Sequence, residues 1–262
     1  YDRKPSEVIF RDRAVVHFAV DPDQVYMTTE LAAKQTRFLP FNQGSAGAGN
    51  PGGAGNPPNP DGYRTAYLWE QVWAREAWLE LLGTFVHAEA VRDENRRKTG
   101  KRRMLFPRYH QWDAVRRLLA DTLATGPGVN RLVQHSAGSG KSNTIAWTAH
   151  RLTRLHTPGD PAGLSPAVRA GGLGTDAPLF HKVVVVTDRR ALDSQLQDTV
   201  GALEHTPGVL VRIDEKMTSA DLQAALESNA ARIIVTTLQK FPVVAGYLAA
   251  DGDQWLIARN ER

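Results

Sequence analysis

Between Leu132 and Ser142 the chain reads Leu-Val-Gln-His-Ser-Ala-Gly-Ser-Gly-Lys-Ser, and few stretches of this length restrict a fold more. Apolar Leu132 and Val133 lead into the Gly/Ser turn Ser136–Gly140, and Lys141-Ser142 then open a helical pattern that runs to His156. A strand over Arg131–Gln134, a glycine-rich turn and a helix, in that order, is the context a phosphate-binding loop requires. Gly138 and Gly140 let successive backbone N–H groups curl round an anion with no Cβ in the way. The first helical turn adds its own unpaired N–H groups and the positive end of its dipole. In this reading Ala137, Gly138, Ser139, Gly140, Lys141, Ser142 and Asn143 hold ATP. The Lys141 ammonium reaches the β- and γ-phosphates as the catalytic cation, and the Ser142 hydroxyl ligates Mg²⁺. The plainer alternative is a turn that caps a helix, with Lys141 simply solvated.

Composition bounds the rest. At 262 residues, 42% hydrophobic and 23% charged, the chain is globular and long enough for two cores. It has no cysteine, which excludes disulfides, and no apolar run of about 18 residues, which excludes a spanning helix and a membrane partner. A cytoplasmic location is the expectation. The opening Tyr1-Asp2-Arg3-Lys4 has neither a Met nor an apolar leader, as expected for a piece of a larger protein.

In chain order, Val15–Val20 and Gln24–Thr29 flank Asp21-Pro22-Asp23, which reads as a hairpin. Asp23 with Glu30 and Lys34 has the residue types of a nuclease metal site, but the Glu-to-Lys spacing suits a solvated turn better. Residues 42–62 are low in complexity, with Gly-Ala-Gly-Asn-Pro appearing twice, and read as a long surface loop. Over residues 68–90, Leu68, Val72, Trp78, Leu81, Leu82, Phe85 and Val86 follow a helical period. Trp69, Trp73 and Trp78 there suit core packing or domain docking better than base stacking. Residues 92–108 hold the densest basic run, from Arg92 through Arg96, Arg97, Lys98, Lys101, Arg102 and Arg103 to Arg108. A solvated linker helix or a polyanion contact both fit it.

From residue 104 helices and strands alternate. The pattern predicts a helix over Gln111–Leu123, another over 143–156 with Ile145, Ala149 and Leu152 inward, and a mobile Gly/Pro-rich insertion at 157–178. It then predicts a strand over 182–187 buried on both faces, a helix marked by Leu192, Leu196, Val200 and Leu203, a strand at Val209–Ile213, a helix at Ser219–Glu227 and a strand at 232–237. Such alternation implies an α/β fold with a parallel sheet and ligands at the strand C-terminal ends. Two of those ends, Thr187-Asp188-Arg189-Arg190 and Thr236-Thr237-Leu238-Gln239-Lys240, carry hydroxyls and cations suited to a phosphodiester backbone. Thr187, Arg189, Arg190, Thr236, Thr237 and Lys240 are therefore the candidate DNA contacts. Upstream, Arg108-Tyr109-His110-Gln111 offers a glutamine amide able to pair with adenine N6 and N7, with Arg108 or Tyr109 near the base. A polar N-terminal turn on the next helix explains the same residues.

The general phosphate loop has its first glycine five residues before Gly140, where this chain has His135. The remaining Gly138-x-Gly140-Lys141-Ser142 is the form used by many helicase-type motors. Together, FPRYHQWDAVRRLLA, QHSAGSGKSNTIAWTAHRL, VVVVTDRRALDSQLQDTV and IIVTTLQKFP resemble the R (restriction and motor) subunit of type I restriction enzymes. VVHFAVDPDQVYMTT, FLPFNQG and GNPPNPDGYRTAYLWEQVW are similar to the stretch that joins that subunit's nuclease domain to its motor. The resemblance implies a superfamily 2 double-stranded DNA translocase fused to an endonuclease, acting with specificity and methyltransferase subunits. By it, Gln111 recognises adenine, Gly138–Ser142 hold phosphates and Mg²⁺, and Thr187-Asp188-Arg189 with Thr236-Thr237 meet the DNA backbone. It also implies residues 1–91 as the end of a smaller α+β nuclease domain, 92–105 as a basic linker and 106–262 as an incomplete RecA-like motor domain. The nuclease carboxylates and an Asp-Glu-Ala-His-type acidic motif fall outside the chain in this alignment, so weak nucleotide binding without turnover is the expectation for residues 1–262. A small-molecule phosphate-loop kinase and a non-catalytic nucleic-acid-binding module are the alternatives. The first would need an Arg-rich lid, and 157–178 holds only Arg169.

Overall fold

The structure is a computed structural model describing residues 6–11, 13–44, 55–93, 98–187, 190–204, 207–214 and 216–241. Its contacts divide the chain into two compact units, Tyr1–Ala114 with Gln134–Lys141, and Val115–Val133 with Ser142–Arg262.

The first unit opens with the short helix α1 (Val8–Arg11), followed by β1 (His17–Val20), β2 (Val25–Thr28) and β3 (Leu39–Pro40) in one antiparallel sheet of that order. The expected hairpin is present, in register Phe18↔Met27. Asp21 organises its turn: its carboxylate accepts the N–H groups of Asp23 and Gln24, both at 2.8 Å. This is the Asx geometry that competes with a ladder and ends a strand. Residues 45–54 of the low-complexity stretch lie outside the described residues, but its two ends are not mere surface. Asn42 and Asn56 are buried. Asn42 Oδ1 accepts the Val25 N–H and Asn56 Oδ1 the Gln43 N–H, each at 2.8 Å, while Asn56 Nδ2 donates to the Asp23 carbonyl at 2.8 Å. Composition hid this, because a buried amide needs only a few well-placed partners to be tolerated.

The single helix expected over 68–90 is instead three pieces. Helix α2 (Arg75–Glu80) lies between π-helical turns at Leu68–Val72 and Leu81–Phe85. Ala74 is extended (φ −55°, ψ 138°), which breaks the helix and resets its phase. Leu68, Val72, Leu81 and Phe85 are buried as their spacing predicted, whereas Leu82 is exposed. Around them lies an aromatic core: Phe18 meets Phe41, Trp73 and Phe106 edge-on at 5.3, 5.8 and 5.9 Å, and Tyr109 meets Tyr67 at 5.2 Å. Trp78 joins it through Phe106, while Trp69 meets Tyr63 edge-on at 6.5 Å, both rings exposed. Residues 98–105 of the basic segment, expected within a linker, form β5 (Lys98–Leu105), paired antiparallel with β4 (His87–Arg92).

Helix α3 (Tyr109–Thr125) starts in the first unit and ends in the second, stopped by Gly126 at φ +73°. After α4 (Lys141–Leu152) and α5 (Pro166–Ala170), the strands β6 (Val183–Thr187), β7 (Leu210–Arg212) and β8 (Ile233–Thr237) alternate with α6 (Arg190–Gly201) and α7 (Ser219–Glu227). The sheet is parallel throughout, in the order β6-β8-β7. This is the mixed α/β architecture with a parallel sheet that the alternation predicted, consistent with a RecA-like domain. Residues 182–187 and 232–237 do share one sheet, in register Thr187↔Thr237. Helix α7 closes one face: Leu222, Ala225 and Leu226 pack with Ile213, Ala231 and Ile234 into a buried cluster.

Four details of the second unit depart from expectation. No strand forms over 131–134; Leu132 is 91% exposed and no described strand pairs with it. The periodicity of a short apolar run cannot supply the partner that a strand needs. β6 is not buried on both faces: it is an outer strand of the described sheet, and Val186 is exposed while the central β8 is buried along its whole length. Helix α4 buries Thr144, Ala146, Trp147 and Ala149 and turns Ile145 outward, a face set by the large Trp147. The 157–178 insertion, read as a Gly/Pro-rich loop, holds the helix α5 and hydrogen bonds of its own. Val168 on α5 is buried, and the Thr157 hydroxyl accepts the Ala177 N–H while donating to the Gly174 carbonyl.

Candidate functional site

The phosphate loop lies in the first unit together with the start of α3, and the two are fastened to one another side chain to backbone. Gly138 and Gly140 sit at φ +72° and +83°, conformations that cost most L-residues about 1–2 kcal/mol. A Cβ on Gly138 would meet nothing within 4 Å, so this glycine serves backbone geometry and not close packing. The loop's carbonyls are taken up from one side. Arg108 Nη2 donates to the Gly138 carbonyl at 3.3 Å, His110 Nε2 lies 3.2 Å from that of Ser139, and Gln111 Nε2 donates to that of Gly140 at 2.9 Å. Lys141 Nζ folds back onto the carbonyls of His135 and Ser136, at 3.1 and 3.0 Å. With the carbonyls so engaged, the N–H groups of Ala137, Gly138 and Gly140 have no backbone acceptor among the described residues. A loop whose carbonyls are engaged internally, and in which only the Ser139 N–H finds a backbone acceptor at 3.3 Å, has the geometry that suits an anion.

Gln111 is almost wholly buried, and both ends of its amide are in use, since Oε1 also accepts the Arg108 N–H at 2.9 Å. Its amide therefore fastens the loop in this conformation. Tyr109, expected near the base, is buried in the aromatic core, where its hydroxyl accepts a hydrogen bond from Gln43 Nε2 at 3.0 Å. Ser142 and Asn143 follow in the first turn of α4.

Two residues escaped the sequence reading of the site. The His110 ring stands edge-on to that of His135, centroids 4.9 Å apart. Burial pulls both imidazoles below their ordinary range. His110 is held down further by His135 and Arg108, against the opposing pull of the Ser139 carbonyl, and His135 by Lys141. Neutral rings are what a site crowded with cations favours. His135 occupying the missing glycine's place was the available signal; its partner depends on the tertiary fold. Arg37 is the second. Burial first and the Arg37 charge second lower the Arg108 guanidinium's pKa. Arg108 Nη1, Ser139 Oγ and His135 Nδ1 are buried without a partner.

These observations fit a triphosphate: unpaired amides, two positive-φ glycines, a foldable ammonium and an orphaned guanidinium nitrogen. Bound ATP would supply the phosphoanhydride, with Ser142 the hydroxyl available to Mg²⁺. A SWI2/SNF2 ATPase family model matches residues 110–257, which span the loop, both strand-end loops and the parallel sheet. The chain belongs to the SWI2/SNF2 ATPase family. Membership places it among helicase-like, nucleic-acid-dependent ATPases that use ATP, generally with Mg²⁺. A search of curated proteins finds no match.

The SWI2/SNF2 assignment bears on the candidate nucleic-acid loops of the second unit. Thr187 ends β6 beside Thr237 of β8. On the central strand β8, Thr236 is fully buried, with its Oγ1 buried as well, and Thr237 is nearly so. Lys240 donates its ammonium to the Met217 carbonyl. Arg189 lies outside the described residues, and Arg190 is the first residue of α6. Among the described residues no helix is long and apolar enough to cross a membrane, and no group of three or more His, Cys, Asp or Glu could hold a metal ion.

Proposed function

We propose that this SWI2/SNF2 ATPase belongs to the R subunit of a type I restriction enzyme: a double-stranded DNA translocase, joined to an endonuclease, that works with specificity and methyltransferase subunits. One observation carries the reading. The Arg108–Gln111 element, by which the chain resembles that subunit, is clasped onto the phosphate loop through three side chains. The antiparallel sheet of the first unit supports it further, since it is built from the stretch similar to that subunit's nuclease–motor junction. In this reading residues 1–91 end a nuclease domain, 92–105 connect it, and 106–262 begin the motor. Lys141 leaves the His135 and Ser136 carbonyls to meet the β- and γ-phosphates, and Ser142 ligates Mg²⁺. Gln111 reports adenine to the loop it fastens. Thr187, Arg189, Arg190 and Lys240 meet the DNA backbone, while Thr236 and Thr237 shape the strand end from within.

Titration with a fluorescent ATP analogue tests the nucleotide site. Lys141→Ala removes a charge-assisted contact, of about 1.5–3 kcal/mol, which weakens binding roughly 10- to 150-fold. Unchanged affinity would sink the assignment. The restriction reading is tested separately, by assembling the subunit with methyltransferase and specificity partners. ATP-dependent cleavage of unmethylated duplex only in that assembly is the expected result. Duplex-stimulated hydrolysis that ignores those partners overturns the restriction role and leaves the family intact.

A further inference from the structure

Strands β4 and β5 form a two-stranded ribbon whose charge stands apart from the rest of the chain. Together they carry Arg92, Lys98, Lys101, Arg102 and Arg103 against the lone carboxylate of Glu89. That excess of four equals the formal net charge of the whole protein, +4. Neither strand packs extensively against any element except its partner. Alternation along β5 puts Arg102 on one face and Lys101 with Arg103 on the other, and all three are exposed. Glu89 pairs with Arg103 across the ribbon, at 2.5 Å, while Arg102 Nη2 donates to the Ala88 carbonyl at 3.1 Å. Isolated hairpins are marginal in water, so a ribbon kept this polar on both sides is poorly explained as core.

We propose that the β4–β5 ribbon is a grip on duplex DNA, contacting phosphates on the two walls of a groove. A duplex major groove admits a two-stranded ribbon, and positive charge on both faces meets both phosphate rows at once. A flat anionic membrane would be met by one charged face only, and the ribbon's one exposed apolar spot, Met104 opposite Ala88, is too small to seat a protein partner. The grip deepens the DNA-motor reading and rests on it, because it requires a polyanionic partner.

The test measures anisotropy of a labelled duplex with the whole chain, without nucleotide, across about 50–200 mM salt. Each phosphate that the protein neutralises adds about 0.9 to the log–log salt slope. Lys98→Gln, Lys101→Gln and Arg102→Gln combined should flatten the slope by about 0.9 for every phosphate left without its cation. Glu89→Gln frees Arg103 and should steepen it. ATP-analogue binding by both variants should match the parent, which reports an intact first unit. If the combined variant loses that binding, the single change Glu89→Gln decides alone. A parent that binds duplex with slopes unmoved by either variant overturns the grip and leaves the DNA-motor reading standing. A parent that does not bind duplex at any salt overturns that reading and the grip with it.

Discussion

Replacing Gln111 separates its two roles. Its side chain is buried, accepts the Arg108 N–H at 2.9 Å and donates to the Gly140 carbonyl at 2.9 Å. A net hydrogen bond contributes about 1 kcal/mol, and a buried group left unpaired costs about 1–3 kcal/mol. Gln111→Ala loses two bonds and strands two backbone partners, so about 2–4 kcal/mol is expected, without any nucleotide present. For a chain of this size that lowers Tm by about 2–4 °C per kcal/mol. Gln111→Glu sharpens the test. The carboxylate keeps the acceptor for Arg108 but turns a lone pair toward the Gly140 carbonyl. Only the protonated acid can donate there, so its folded pKa is raised above the unfolded value of about 4.3. The stabilising donation is therefore present at low pH and lost as pH rises through the folded value. Scanning fluorimetry of parent and both variants, with none, ATP or GTP added, reads every limb. If Gln111→Ala melts with the parent yet loses its preference for ATP over GTP, the fastening argument is wrong and the amide acts on the base alone.

Gly138→Ala should cost about 1–2 kcal/mol through its φ of +72°, with no steric clash, and should weaken ATP-analogue binding by displacing an amide; calorimetry and titration check both. Asn56→Ala removes partners from Gln43 N–H and the Asp23 carbonyl inside the first unit, and about 2–4 kcal/mol should be lost in urea denaturation monitored by tryptophan fluorescence. His110 and His135 have folded pKa values below the ordinary imidazole value of about 6.5, so the unfolded chain binds more protons there. Stability is complete above about pH 6.5 and falls as pH drops from there through the folded values, and His110→Gln with His135→Asn should flatten Tm between about pH 5 and 8. A double variant with the parent's pH profile would count against the half-buried ring pair.

Local patterns settled much of this protein in advance. The Asp21 turn, the helix starts near residues 109, 141 and 219, the three parallel strands and the two loop glycines were each legible, because turn chemistry, apolar period and positive φ are properties of neighbouring residues. The turn geometry of the candidate phosphate loop was legible for the same reason. What needed the tertiary structure was every outcome that depended on a partner far along the chain. Leu132 and Val133 have strand-like side chains but no described strand beside them, and Val186 is exposed on β6, an outer strand of the described sheet. Asn42 and Asn56, unremarkable in a Gly/Pro tract, are buried because Val25, Gln43 and Asp23 supply their hydrogen bonds. Gln111 and His110 became loop-fastening residues, and Tyr109 a core residue, through contacts spanning about thirty to seventy positions. Sequence patterns register the conformational preference of a segment, whereas burial and hydrogen-bond satisfaction are settled only when distant segments meet and water is displaced.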